Sequence, residues 1–151
     1  GKVIGTIVLD SYTSINEQAK ALILAANGAM AMTQPLYGVL LREFELLNGY
    51  LLGLPANIIF IFHEAFDKDE LSGRISIRPL IDGQMKQKIG MKFEEVYFME
   101  RRIMQGKLEF KMKPWGDNLR QGRSSRALPL EVEPDFSKIY APGYGEVKGG
   151  K

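Results

Sequence analysis

The chain opens with an unbroken run rich in β-branched residues, Val3-Ile4-Gly5-Thr6-Ile7-Val8-Leu9, which is followed by the carboxylate of Asp10 and by Ser11. Runs of this kind are typical of strands that are buried on both faces, and such strands belong mainly to parallel sheets. We therefore predict a buried strand here, with Asp10 at its carboxyl end.

Helical and strand patterns alternate after this run. Apolar residues recur at helical spacing over residues 16–27 and 35–52, and residues 57–62 form a second apolar run that ends at His63. This order predicts an α/β fold with a mostly parallel sheet and right-handed crossovers. Because ligands bind at the carboxyl ends of the strands in such sheets, we expect Asp10 and His63 to share one functional edge.

The second half of the chain is more polar. Its sequence pattern predicts a polar loop over residues 64–73, a half-exposed strand over 74–78 and a short basic helix over 83–93. It also predicts an antiparallel hairpin of residues 95–101 and 107–113. We expect residues 1–140 to form one domain and the glycine-rich residues 141–151 to be a disordered tail.

Composition narrows the function classes. The 151 residues include 20 Lys and Arg, 18 Asp and Glu, one His and no Cys. The lack of cysteine excludes disulfides and thiolate metal sites and fits a cytoplasmic location, while a single histidine excludes a multi-His metal site within one chain. No apolar run reaches the roughly 18 residues of a membrane span, so we expect no membrane partner.

Asp10 is the first candidate functional residue. A carboxylate fixed at the end of an apolar strand is the pattern of a Walker B element, which holds Mg²⁺ beside nucleotide phosphates. The structural alternative is an aspartate that caps the following helix.

His63 and Glu64 follow the second apolar run in the same way. His63 fits a polar sensor that feels the γ-phosphate of a nucleotide and passes the signal to the next loop. The alternative is a histidine satisfied by local hydrogen bonds at a strand end. Glu64 fits a carboxylate that polarises water, or an ordinary exposed loop residue.

A basic segment is the third signal. Residues 101–126 include eight basic and two acidic residues, a net charge of +6, which is the footprint expected for phosphate contacts. Trp115 within it suits base stacking, or it fills the core of a solvated hairpin. Lys111 and Lys113 alternate along a strand and so share a face, which suits a bound polyphosphate or ordinary solubility.

Residues 145–151 match part of the phosphate-loop pattern G-x-x-x-x-G-K. They lack the final Ser or Thr, follow no predicted strand and open no predicted helix, so they do not have the context that binds phosphates. We predict no phosphate loop elsewhere in the chain.

Taken together, these features resemble the RecA-like phage ATPases, the nucleotide-binding proteins of the single-strand-annealing recombinase type. The similarity is carried, in order, by residues 6–11, 57–64, the charged loop that follows, 77–79, 93–97 and 133–139. The family begins with a strand, a phosphate loop and a helix, which this sequence lacks before Asp10. We therefore expect either the C-terminal part of a longer protein or a degenerate homologue.

The resemblance implies a partial RecA-like P-loop NTPase core that binds ATP with Mg²⁺. Asp10 matches the Walker B aspartate and magnesium ligand, and Ser11 follows it at the nucleotide. His63 matches the polar sensor, with Glu64 beside it. Lys111 and Lys113 resemble a lysine pair that reaches the ATP of a neighbouring subunit.

The resemblance also implies single-stranded DNA as a partner and assembly into a ring or filament of identical subunits. The loop from residue 64 to residue 74 matches a DNA-facing loop, so Lys68, Arg74 and Arg78 are the candidate DNA contacts. In a phage-encoded protein this activity belongs to the host cytoplasm and to recombination or replication.

Two other function classes stay open. One is a non-catalytic nucleic-acid-binding or phage-assembly module that keeps part of the fold. The other is an unrelated hydrolase that uses His63 with Asp10 or Glu64, although the sequence has neither a G-x-S-x-G elbow nor a cysteine nucleophile.

Overall fold

The computed structural model describes residues 5–139 and has a mixed α/β architecture. Its strands are β1 (Thr6–Asp10), β2 (Asn57–Ile61), β3 (Glu64–Lys68), β4 (Ile75–Pro79), β5 (Phe98–Met104) and β6 (Lys107–Lys113). Its helices are α1 (Tyr12–Ala26), α2 (Gln34–Leu52), α3 (Met85–Lys88), a 3₁₀ turn at Ile89–Lys92, and α4 (Phe136–Ile139). The predicted tail, residues 141–151, lies outside the described residues.

The chain divides into two compact units. The first contains the described residues up to Ala65 together with Pro79–Gln87, and the second contains Phe66–Arg78 and residues 88–139. The expectation of a single domain over residues 1–140 stays a prediction.

Helix α1 begins directly after β1 because Ser11 is its N-cap. The Ser11 backbone is extended, and its Oγ accepts a hydrogen bond from the N–H of Ser14 at 3.2 Å, which satisfies one amide that the first turn leaves unpaired. The helix ends before Asn27, and Gly28 then turns the chain with a φ of 58°. The sequence pattern predicted a helix that begins at residue 16, which is four residues after its observed start at Tyr12.

Helix α2 follows the predicted range closely. Pro35 lies in its first turn, where its missing N–H costs no hydrogen bond. The helix ends at Leu52, and the N–H of Gly53 bonds to the carbonyls of Gly49 and Tyr50.

Strands β1 and β2 pair in parallel, as predicted. Their register runs from Thr6 opposite Asn57 to Asp10 opposite Ile61. Within the described residues, however, the strands form three separate two-stranded sheets rather than one mostly parallel sheet. Strand β3 pairs with β4, and β5 pairs with β6, because each pair is adjacent in the chain. None of these strands extends the parallel pair of β1 and β2.

The core of the first unit is built around the ring of Tyr12. This side chain is 0% exposed, and its ring centroid lies 5.2 Å from that of Phe44 on α2, 5.0 Å from that of Phe60, and 5.2 Å from that of Phe62. Its hydroxyl donates to the Oδ1 of buried Asn48 at 2.7 Å. Burial raises the pKa of the Tyr12 phenol above its ordinary value, although the Asn48 hydrogen bond opposes this rise.

The prediction that the first strand is buried on both faces is wrong. Along β1, exposed positions alternate with half-buried ones, and Val8 is 52% exposed. The aromatic cluster around Tyr12 lies against the face that carries Phe60 and Phe62. The opposite face carries Val8, Ile59 and Ile61, and Ile61 is also exposed.

The predicted loop over residues 64–73 is also wrong in its first half, because residues 64–68 form strand β3. The N–H of Leu80 bonds to the carbonyl of His63, and the N–H of Asp69 bonds to that of Arg74. These pairs converge toward a turn, so β3 and β4 form a hairpin. The carboxylate of Asp69 closes the turn by accepting hydrogen bonds from the backbone of Leu71 and of Ser72.

Strands β5 and β6 confirm the predicted antiparallel hairpin. It turns at Gln105 and Gly106, which both have a positive φ. The core of the second unit lies at its base and consists of Met112, Leu128, Val132 and Ile139, with Tyr97 packed against them.

Replacing Phe44 with Ala tests the aromatic core. We expect a loss of about 3–5 kcal/mol in the free energy of unfolding, because the change removes a buried ring and leaves a cavity. Leu46→Ala on the same helix is the control, since Leu46 is exposed and surface changes cost about 0.5 kcal/mol or less. Urea unfolding followed by circular dichroism at 222 nm measures both, because α1 and α2 are the longest helices described. Equal losses for the two variants would contradict this core assignment.

Candidate functional site

The structure brings Asp10 and His63 to the same edge of the β1–β2 sheet. Asp10 is the last residue of β1 and lies opposite Ile61, the last residue of β2, and His63 follows two residues later. Both side chains are exposed. The predicted shared edge is therefore found, and we call Asp10, Ser11 and His63 the rim.

The carboxylate of Asp10 is not the cap of the following helix. Ser11 has that role, and its Oγ also lies 2.9 Å from the Oγ of Ser14. Among residues 5–139, Asp10 has no ion-pair or side-chain hydrogen-bond partner, so its oxygens face solvent. The peptide bond between Asp10 and Ser11 is cis.

Ser11 differs from the other rim residues because it is buried. Its hydroxyl is engaged by Ser14 and by the start of α1. The structure therefore assigns Ser11 a helix-capping contact, and the nucleotide contact that the resemblance implies for it stays a prediction.

His63 is held through its backbone on both sides. Its N–H donates to the Oγ1 of Thr13 at 3.1 Å, and its carbonyl accepts from the N–H of Leu80 at 2.7 Å. Thr13 is buried in the first turn of α1. In the part of the chain that the structure describes, the imidazole itself has no hydrogen-bond partner. The local hydrogen bonds thus fix the position of His63 and leave its ring exposed.

Glu64 is exposed and begins strand β3 instead of a loop. Its backbone is therefore part of a hydrogen-bonded ribbon that starts one residue after His63.

A polar cluster on α1 lies beside the residues that follow β4. The Nδ2 of Asn16 donates to the carboxylate of Asp82, and the Nζ of Lys20 lies 3.0 Å from the same carboxylate and 2.7 Å from that of Glu17. Burial opposes the charge on Lys20, but its bonds to Glu17 and Asp82 outweigh this and raise its pKa. This cluster ties the residues around Asp82 to the same helix that begins at the rim.

The three cations proposed to contact DNA are not equivalent. Lys68 and Arg74 are exposed, and neither has an ion-pair partner within the described range. The Nε of Arg78 instead lies 3.2 Å from the carboxylate of Asp67 and 3.0 Å from the Oγ of Ser76. Arg78 is thus tied down within the hairpin, while Lys68 and Arg74 stay available.

The β3–β4 hairpin carries two exposed apolar residues that the sequence analysis did not single out. Phe66 is 80% exposed and Leu71 at the turn is 100% exposed. The alternation over residues 64–68 could have shown this, because it places Phe66 on the same face of β3 as Lys68. The charge here is not basic overall: residues 64–74 contain two basic and four acidic residues.

Lys111 and Lys113 share one face of β6, as predicted, but both have carboxylate neighbours. The Nζ of Lys113 lies 2.7 Å from Glu100, and that of Lys111 lies 3.9 Å from Glu109. Their contact with a neighbouring subunit's nucleotide stays a prediction.

Arg102 completes this charged face by bridging Glu100 and Glu131. Hydrogen bonds from Lys113 and from Arg102 hold the pKa of the Glu100 carboxyl below its ordinary value, and Arg102 does the same for the pKa of Glu131. Two of the eight basic residues of the segment, Arg102 and Lys113, are therefore paired with carboxylates that lie outside the segment in the sequence.

Trp115 is bonded along one edge and partly exposed, so its role in base stacking stays a prediction. Its Nε1 donates to the carbonyl of Leu128 at 2.9 Å, while the side chain is 38% exposed. One edge of the indole is anchored and part of its surface remains in solvent.

The comparisons with known proteins found no match: no family model, curated protein or solved structure is similar to this chain. Residues 5–139 contain no group of three or more His, Cys, Asp or Glu side chains that could hold a metal ion. They also contain no helix that is long and apolar enough to cross a membrane.

Replacing Thr13 with Val tests how His63 is held. The valine cannot accept the His63 N–H, so we expect the exchange protection of that amide to fall about fivefold, the equivalent of roughly 1 kcal/mol for one hydrogen bond. Thr33→Val is the matched control, because the Thr33 side chain caps α2 without a hydrogen bond. Amide hydrogen exchange read at His63 measures both variants. Unchanged protection in Thr13→Val would refute the contact.

Proposed function

We propose that this chain is part of a RecA-like ATPase that acts on single-stranded DNA, with the rim as one side of its magnesium-nucleotide site. The observation that carries the proposal is the parallel register of β1 and β2, which brings Asp10 and His63 to one edge. The choice of family rests on the resemblance of the sequence. The geometry supports it because nucleotides bind at the carboxyl ends of parallel strands, where Asp10 and His63 lie.

The donor set at the rim fits Mg²⁺ in part. Magnesium is commonly held by one or two carboxylates together with phosphate oxygens and several waters. Asp10 offers one such carboxylate, and its oxygens are not consumed by the helix cap. The nucleotide's phosphates would need a further binding element, because the sequence contains no complete phosphate-loop motif.

His63 is suited to couple the rim to the DNA-binding residues. Its backbone is bonded to Thr13 on one side and to Leu80 on the other, so a change at its ring is transmitted to ordered backbone. The chain continues directly from His63 into β3. A contact between the imidazole and a phosphate would therefore bias the hairpin that carries Lys68 and Arg74.

The hairpin offers the two contacts that single-stranded DNA needs. Lys68 and Arg74 can bind phosphates, and the exposed ring of Phe66 can stack on a base. Because residues 64–74 have a net charge of −2, we expect stacking to contribute more than long-range attraction. Assembly into a ring or filament in the host cytoplasm completes the proposal.

A non-catalytic nucleic-acid-binding module is the second candidate. It is favoured by the same exposed hairpin residues and by the lack of a complete phosphate loop in the sequence. The two candidates differ in the magnesium-nucleotide contact of Asp10, which the ATPase requires and the binding module does not.

Nuclear magnetic resonance tests the nucleotide site directly. On addition of Mg²⁺ and ATP, we expect the amide signals of Asp10, Thr13 and His63 to shift, because these residues form or adjoin the rim. Asp10→Asn should abolish the Mg²⁺-dependent part, since a neutral amide is a poor magnesium ligand. Glu43→Gln on the exposed face of α2 is the control and should change nothing. No shift at millimolar nucleotide, or equal shifts in Asp10→Asn, would reject the nucleotide site and favour the second candidate.

Fluorescence anisotropy with a labelled oligonucleotide tests the DNA surface. Phe66→Ala should weaken binding by about 1–3 kcal/mol through the loss of one stacking contact. The double variant Lys68→Ala, Arg74→Ala removes two phosphate contacts. It should therefore reduce the slope of log affinity against log salt concentration by about 2. Arg42→Ala is the control, because Arg42 lies on α2 and is paired with Glu43. Wild-type affinity in both Phe66→Ala and the double variant would exclude this hairpin as the DNA contact.

A further inference from the structure

The β5–β6 hairpin is amphipathic, and its apolar face is open. Strand alternation and register place five side chains together on this face. They are Met99, Arg101, Ile103, Leu108 and Phe110, and all are exposed, with Ile103 at 76%. The core of the second unit covers the same face only at the base, at Met112. We call these five residues the hairpin face.

The opposite side of the hairpin is charged, so exposed apolar side chains are not a general feature of these two strands. There Glu100, Arg102 and Lys113 form a charged network with Glu131, and Lys111 lies beside Glu109. A hairpin that needed only solvation would have polar residues on both faces. Its apolar side is instead a contiguous patch of the kind that marks an interaction surface.

A second open face lies on the β1–β2 sheet. Val8 and Asp10 of β1 lie beside Ile59 and Ile61 of β2, on the side away from Tyr12 and its aromatic neighbours. We call these four residues the sheet face. It too is apolar with one charged residue, and that charge is negative where the hairpin face carries the positive Arg101.

We propose that the hairpin face of one copy packs on the sheet face of a second copy. Each face lies on two paired strands: the hairpin face extends over residues 99–103, roughly 13 Å along the strand, and the strands that carry the sheet face are five residues long. Two such surfaces can pack face to face with interdigitating side chains, as sheets in a sandwich do. This docking names the surfaces for the assembly included in the proposed function, but it does not require nucleotide.

Charge complementarity favours the sheet face, rather than a second hairpin face, as the partner of the hairpin face. Arg101 is exposed and has no ion-pair partner among the described residues, and the same holds for Asp10. Docking brings these opposite charges together, because Arg101 at the centre of the hairpin face can reach Asp10 at the end of the sheet face. If two hairpin faces packed on each other about their centres, Arg101 would meet its own copy, and like charges in an interface are unfavourable.

The docked arrangement is compatible with a magnesium ion at the rim. A carboxylate has about four lone-pair sites, so Asp10 can accept hydrogen bonds from Arg101 and still ligate a metal. Because the two faces differ, the contact is heterologous, and repeated contacts generate a ring or an open filament.

Analytical ultracentrifugation without nucleotide tests the docking. We expect the wild-type chain to associate as its concentration rises. Ile103→Glu and Val8→Glu should each weaken association by about tenfold or more, because each places an unpaired charge in the contact. Met30→Glu is the control, since Met30 is fully exposed and lies on neither face. Circular dichroism verifies that every variant is folded.

Mixing the two variants tests whether the hairpin face binds the sheet face and not another hairpin face. An Ile103→Glu chain keeps its sheet face and a Val8→Glu chain keeps its hairpin face, so the mixture should form dimers but no larger species. The charge exchange Arg101→Asp with Asp10→Arg should restore part of the association that each change removes alone.

Three results would overturn the proposal. They are a wild-type chain that stays monomeric up to millimolar concentration, full association of Val8→Glu while Ile103→Glu is monomeric, and a monomeric chain that binds lipid vesicles through Ile103. The second result would indicate hairpin-to-hairpin pairing, and the third a membrane surface. A nucleotide-binding failure in the resonance experiment leaves these outcomes unchanged, so the two proposals fail separately.

Discussion

The aromatic packing around Tyr12 is the constraint on which the first unit depends. The ring contacts Phe44 on α2 and both Phe60 and Phe62 near the end of β2, and its hydroxyl is satisfied by Asn48. A buried tyrosine needs such a partner, because an unpaired hydroxyl in a dry core costs free energy. Tyr12 is also the first residue of α1, directly after the cap at Ser11. The same side chain therefore fixes where the helix starts and where the end of β1 lies against β2.

This packing has two consequences for function. It leaves Asp10 and His63 at one edge with their side chains in solvent, while the hydrogen bonds of Ser11 and Thr13 hold the backbone around them. It also covers only one face of the β1–β2 sheet. A parallel pair of strands with an open apolar face is unusual, because parallel sheets are normally covered on both faces. The proposed docking of a second copy gives that face a partner of complementary charge.

The sequence was most informative where structure is determined locally. The apolar runs of β1 and β2, the helical spacing of α1 and α2, and the turn of the β5–β6 hairpin were all visible in it. It failed at β3, where three of five residues are charged and the strand forms because β4 pairs with it across the turn at Asp69. It also could not show that Lys113 meets Glu100, since register sets cross-strand partners. The shared edge of Asp10 and His63 followed from chain order alone, whereas the burial of Ser11 did not.

A designed disulfide measures the parallel register most directly. The chain contains no cysteine, so the pair Asp10→Cys and Ile61→Cys can be read without background. Neighbouring strand partners lie close enough for a disulfide, whose Cα atoms are about 4.4–6.8 Å apart. We predict that this pair crosslinks readily under mild oxidation, while Thr6→Cys with Ile61→Cys does not. Preferential crosslinking of the second pair would mean that the strands run in opposite directions and that Asp10 and His63 lie at different edges.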